Sequence, residues 1–275
     1  MPTLIIIGFS YRNLSSTIVD IYYAYSYYYR LGYQIYICSD IIEPINVADY
    51  LSLISSKAVD NQFIPFVQNI FYKLRYIVSD KDSLRNWLSS IKPIDHKLII
   101  YYTGHGVEKH LVLPDQTHFS MIEFRNVIFT LNNHNDANIL VIIDCCNPHG
   151  LFLPFKFNRE TNIFEHNNNN FVQPKIIVIA SSEPNMLSHA TRLESPFTRF
   201  LFKYLTDQTN SYDIKSVCRY IDTNVMSYEK IESTQECTVY SSYPSLLVIW
   251  PWAIHNDKMN LQFNYLFNTL MINDH

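Results

Sequence analysis

The sequence predicts an α/β fold, a mostly parallel six-stranded sheet with helices on both faces. Two observations carry the prediction. Short apolar runs without polar alternation recur at residues 3–8 (TLIIIG), 97–102 (KLIIYY), 138–143 (NILVII), 175–180 (KIIVIA) and 245–250 (SLLVIW). Strands buried on both faces of a parallel sheet read this way, whereas half-solvated strands alternate. Segments of helical spacing separate the runs, and strand–helix–strand order makes right-handed crossovers that bring strand C-termini to one edge. Ligands of open α/β sheets bind at that edge, so function is sought just after each run.

In chain order, residues 9–13 form a polar loop and 14–31 a helix with Ser15, Ser16 or Thr17 as N-cap. Tyr22, Tyr23, Tyr25, Tyr27, Tyr28 and Tyr29 run all round this helix. Without interleaved basic residues they read as helix-to-sheet packing rather than a base-stacking surface. Gly32 ends the helix, and residues 33–39 (YQIYICS) make the second strand. Residues 41–91 read as mainly helical: 47–56 and 63–78 carry apolar periodicity, and Ser79-Asp80-Lys81-Asp82 offers caps for a helix over 83–91. Residues 121–131 (MIEFRNVIFTL) have helical spacing and form the crossover between the runs at 97–102 and 138–143.

Residues 147–170 are polar and aromatic, lack a sustained period and end in four asparagines. They read as a long exposed loop. Ser195-Pro196 opens a helix over 197–205, and 212–226 makes another. The tail, 256–275, reads as a short amphipathic helix packed on the outside. No internal repeat is visible, and residues 1–275 read as one domain.

The 275 residues are 48% apolar and 17% charged, which is globular rather than disordered composition. The net charge of −4, with both signs interspersed, gives no footprint for nucleic acid or an anionic membrane. No apolar run reaches the roughly 18 residues a membrane span needs. No basic leader with a cleavable apolar segment precedes the first strand. The five cysteines show neither CxxC nor His/Cys ligand spacing, so neither a disulfide framework nor a structural zinc is signalled. A reducing, cytoplasmic location is expected.

Two runs end in chemistry. One leads into Thr103-Gly104-His105-Gly106, the other into Asp144-Cys145-Cys146. A thiol beside an imidazole is a nucleophile pair, the imidazole taking the thiol proton and later protonating a leaving amine. Gly106 has no side chain to block its N–H, so the N–H groups of Gly106 and Cys146 can both face a developing oxyanion. Two of the chain's five glycines flank His105, which suggests close backbone approach to a ligand. Side chains alternate along an extended strand end, so only one of Cys145 and Cys146 can meet His105. Cys146, nearer the turn, is the more exposed and is the expected nucleophile.

At these residues the chain resembles caspase-like cysteine peptidases, the clan of caspases, metacaspases and paracaspases. Tyr101-Tyr102-Thr103-Gly104-His105-Gly106 resembles the family's YSGHG segment, and Asp144-Cys145-Cys146 the DCC or DSC ahead of the metacaspase nucleophile. The similarity extends over residues 4–8, 175–182 and 195–205. It implies a caspase-like three-layer sandwich and a cysteine endopeptidase with a His105–Cys146 dyad, acting on a protein or peptide substrate.

Asp144 stands where metacaspases place an acidic wall of the S1 pocket. Residues 14–20 (LSSTIVD) have the spacing of their LxGCxND segment, which puts Asp20 at the second acid. Glu183 is a further candidate for the pocket rim. An acidic pocket binds guanidinium through charge-assisted hydrogen bonds, so cleavage after Arg or Lys is expected. The acid-rich, Ca²⁺-binding insertion of many metacaspases is missing, since residues 107–120 hold only Glu108 and Asp115. No metal and no cofactor are expected. The 147–170 segment corresponds to the place where caspases are cut into subunits, with Lys156 and Arg159 as candidate self-cleavage sites.

Relatives either form a homodimer through the last strand or stay monomeric, and the sequence leaves this open. His149 lies too close along the chain to serve Cys146 and reads as loop. Asn147-Pro148-His149-Gly150 replaces the His-Ser-Gly that commonly follows the metacaspase nucleophile. That departure sustains a rival reading, an inactive caspase-fold scaffold or decoy that binds partners. A nucleotide-binding domain is disfavoured, because Gly8-Phe9-Ser10 is not a GxGxxG turn.

Overall fold

The unalternating runs at 3–8, 97–102, 138–143 and 175–180 are all strands, and they lie side by side. The computed structural model describes residues 2–92, 97–131, 138–167, 175–207, 210, 213–228 and 235–244. The expected strand at 245–250, the dimer edge it would offer and the 256–275 tail lie outside the described residues.

The strands are β1 (Thr3–Gly8), β2 (Gln34–Ser39), β3 (Arg75–Ile77), β4 (Lys97–Thr103), β5 (Gly106–Val107) and β6 (His110–Val112). They continue with β7 (His118–Ser120), β8 (Asn138–Asp144), β9 (Phe155–Asn158), β10 (Ile163–His166), β11 (Lys175–Ala180) and β12 (Thr238–Ser241). The main sheet has nine strands in the order β10-β9-β12-β11-β8-β4-β1-β2-β3. The six from β11 to β3 are parallel, and β12, β9 and β10 add an antiparallel edge. The class matches the expectation, but the count of six does not.

Period-two alternation sorts each strand between two cores. Leu4, Ile6, Tyr101 and Ile142 pack with α1 (Thr17–Arg30) and with residues of two helices further along the chain. Ile5, Ile7, Tyr102 and Ile143 pack on the other face with α2 (Lys81–Ser90) and α3 (Met121–Leu131). The first face is completed by α4 (Pro196–Thr206) and α5 (Ile214–Ser227). Burying one Ile side chain stabilises the fold by roughly 1.5–3 kcal/mol, so these stripes fix the register. In α1, Tyr22, Tyr25, Tyr27 and Tyr28 are buried while Tyr29 is exposed. α2 begins with Asp80 and Ser83 capping each other.

Two further expectations are corrected, and one element is new. The 147–170 loop is largely ordered structure: β9 and β10 pair as a hairpin, with the Phe157 and Phe164 rings 5.4 Å apart, and β9 also pairs with β12. Four-residue strands are too short to show a period, so composition alone read as loop. Residues 75–77, taken as helix, form β3, because pairing with β2 outweighs local helical preference. Residues 106–120 fold into a small antiparallel sheet, β5-β6-β7, over the end of β4.

Candidate active site

β4 and β8 are direct parallel neighbours, with Thr103 opposite Asp144 at their C-terminal ends. His105 and Cys146 therefore leave the sheet two residues beyond a paired rung, at the edge where the topology places ligands. Gly104 N–H still donates to Asp144 O at 3.2 Å, so the two chains stay joined past the last rung.

The two cysteines part company here. Cys145 is buried in the core on the α2/α3 side, and its N–H and C=O are both bound by the Ser181 hydroxyl, at 3.2 and 3.1 Å. Cys146 is only partly buried. Its sulfur receives the Ser188 N–H at 3.3 Å and lies 3.5 Å from Ser188 O. Asn147 N–H donates to Met186 O at 3.0 Å. The segment 186–188 thus lies directly on the thiol. Burial pushes the Cys146 thiol above its ordinary pKa, and the Ser188 N–H pulls the other way.

The His105 ring stacks on Tyr11, centroids 4.5 Å apart at 26°. Partial burial lowers its pKa, so the imidazole is neutral at neutral pH. The ring makes no hydrogen bond to Cys146 among the described residues.

The Cβ positions that the flanking glycines leave open are taken by neighbours from the protein itself. A Cβ on Gly106 would fall 2.3 Å from Cys146 O and 2.6 Å from the Cys145 sulfur. On Gly104 it would fall 2.8 and 3.0 Å from the hydroxyls of Tyr11 and Tyr102.

The two predicted pocket acids are brought together. Asp20 on α1 is 1% exposed and Asp144 at the end of β8 is 4% exposed, both on the α1/α4 face. Asp20 accepts Ser195 N–H at 2.9 Å and the Thr103 hydroxyl at 3.2 Å. Asp144 accepts the hydroxyls of Ser188 at 3.0 Å and Thr198 at 2.6 Å. Burial raises both pKa values, and the Asp144 charge raises that of Asp20 further. Neither acid forms an ion pair among the described residues.

Glu183 is engaged elsewhere, in an ion pair with Lys156 at 2.6 Å. Arg159 pairs with Asp222, so both candidate self-cleavage residues are tied down. His149 stacks on Phe152.

Sequence reasoning missed Ser188, Gln235 and Tyr11. Gln235 is buried and holds the covering segment: its amide donates to Ser181 O at 3.0 Å and to the Ser188 hydroxyl at 3.3 Å, and accepts His189 N–H at 2.9 Å. Ser188 acts mainly through its main chain and leaves no sequence signature. Tyr11, in the loop after β1, sits on the functional edge and was open to notice.

No group of three or more His, Cys, Asp or Glu that could hold a metal ion occurs among the described residues. No described helix is long and apolar enough to cross a membrane.

No curated protein matches the chain in sequence. Among solved structures, the crystal structure of caspase-1 from Spodoptera frugiperda has a TM-score of 0.49 at 12% identity, covering 87% of each chain. Protein GSU0716 from Geobacter sulfurreducens has a TM-score of 0.52 at 11% identity, covering 87% of this chain and 92% of its own, a likeness of fold. The sequence family described as "Caspase domain", a family of cysteine peptidases, matches residues 66–247, which is more than half of the chain. That match, over a parallel sheet clad by helices on both faces, makes this chain a member of the caspase-domain family.

Proposed function

We propose that the chain is a cysteine endopeptidase with a His105–Cys146 dyad that cleaves after Arg or Lys and needs no Ca²⁺. The observation that carries the reading is the direct β4–β8 pairing, which delivers imidazole and thiol to adjoining strand ends. A neutral imidazole and a neutral thiol make a general-base pair. As the sulfur attacks the scissile carbonyl carbon, the imidazole takes its proton; the imidazolium then protonates the leaving amine, and water hydrolyses the thioester. The N–H groups of Gly106 and Cys146 are the oxyanion donors, each worth about 3–4 kcal/mol of barrier.

Asp20 and Asp144 support the basic specificity. Two desolvated carboxyls without a counter-cation among the described residues are costly, and a guanidinium or ammonium would relieve that cost. Ser188 covers both the sulfur and Asp144, so the arriving substrate displaces the 186–188 segment to reach either one.

The test is turnover of fluorogenic peptides ending in Arg, Lys or Asp. Turnover after Arg or Lys that is lost in Cys146→Ala is the expected result. Preference for Asp sinks the acidic pocket, and no turnover of any peptide sinks the peptidase.

A second reading, a non-cutting scaffold, is favoured by the sulfur's engagement with Ser188 rather than with His105. Labelling of Cys146 by a peptidyl-arginine electrophile, far faster than by iodoacetamide, separates the two, since a scaffold gains nothing from the peptide.

A further inference from the structure

The loop after β1 reaches across to the end of β4 and meets His105 with a single side chain. The Tyr11 hydroxyl accepts the His105 N–H at 2.9 Å and donates to Val112 O at 2.8 Å. The Tyr11 ring lies against the imidazole face. The other end of the same residue is held too, because Tyr102 donates its hydroxyl to His105 O at 2.8 Å. The two hydroxyls stand 3.2 Å apart, in the space left by the missing side chain of Gly104.

Tyr11 is itself fixed from behind. The two oxygens of Asp40 accept the N–H groups of Ser10 and Tyr11 at 2.6 and 2.7 Å. A stacked ring leaves the imidazole few rotations, and its π-face favours the imidazolium that forms when the thiol proton moves.

We propose that Tyr11 is the positioning residue of the His105 imidazole, seated by Asp40, an inference that rests on the peptidase reading above. Tyr11 need touch neither substrate nor sulfur to act. It sets where the base stands, and misplacing a base by about an ångström costs on the order of a hundredfold in rate.

Two measurements on the full chain test this. In kinetics, Tyr11→Leu is expected to lower kcat about ten- to hundredfold with KM nearly unchanged. Tyr11→Phe, which keeps the ring, should recover most of the loss, and Asp40→Ala should share the defect. A Tyr11→Leu enzyme with wild-type kcat, or a Phe variant as poor as Leu, overturns the proposal. In NMR on Cys146→Ala protein, Tyr11→Leu is expected to shift the His105 ring protons downfield as the stacked ring is lost, with Phe leaving them in place. Unmoved signals overturn the proposal whether or not the enzyme turns over. Signals that move in a protein whose wild type cuts nothing sink the peptidase reading and leave the seating of the imidazole by Tyr11 standing.

Discussion

The main chain of Ser188 holds the sulfur of Cys146 twice, its N–H donating to the sulfur at 3.3 Å and its carbonyl O accepting from the thiol at 3.5 Å. The resting thiol is covered, partly desolvated and raised in pKa. Its alkylation by iodoacetamide should therefore be slow at neutral pH and still climb at a pH of about 9. Gln235→Ala, which removes its bonds to the Ser188 hydroxyl and the His189 N–H, should speed the neutral-pH reaction several-fold. Adduct formation followed by mass spectrometry checks this, and equal rates in the two proteins would show that the cover does not limit access.

On the proposed acidic-pocket reading, Asp20 and Asp144 set stability against function. Their folded-state pKa values are raised. Their stabilisation is thus full below the unfolded carboxyl pKa and is lost as pH rises through the folded value. At neutral pH, Asp20→Asn removes a carboxyl whose ionisation burial opposes, yet can keep the Ser195 N–H bond. It should raise Tm by about 2–4 °C for each kcal/mol relieved while lowering turnover of Arg peptides. A lower Tm at neutral pH would mean that the carboxylate stabilises the fold.

Gly106→Ala should be poorly tolerated, because the new methyl meets the Cys146 carbonyl oxygen and the Cys145 sulfur. Overpacking against backbone costs about 1–3 kcal/mol. Chemical denaturation reads the loss, and an unchanged midpoint would mean that β5 moves aside freely.

Self-processing should fall after Arg159 rather than Lys156. Lys156 lies in β9, paired on both sides, whereas Arg159 opens the turn that follows. Asp222→Asn, which releases Arg159, should increase that cleavage, and Cys146→Ala should abolish it. Intact-mass analysis gives the cut position, and fragments ending at Lys156 would contradict the strand-protection argument.

EDTA should leave peptide turnover unchanged. A loss of activity restored by Ca²⁺ would place oxygen ligands where residues 107–120 offer only Glu108 and Asp115.

Much of the fold was legible because its central strands are buried on both faces, so positions such as Leu4 and Ile5 do not alternate with polar ones: the runs at 3–8, 97–102, 138–143 and 175–180 announce themselves. The His105 and Cys146 segments were legible for the same reason, each lying just beyond such a run. What escaped lies in tertiary contacts. β9 and β10 owe their order to β12, a strand far along the chain. Ser188 reaches the sulfur through peptide atoms common to every residue. The glycines beside His105 signal close approach, but not that tyrosine hydroxyls, a carbonyl and a second sulfur lie where their side chains would be.

The hairpin of β9 and β10 changes what a break in this chain would mean. Severing the peptide bond after Arg159 removes one covalent link and no rung of the sheet, since β9 keeps β10 on one side and β12 on the other. The nicked molecule would run as two bands on a denaturing gel and still sediment as one body.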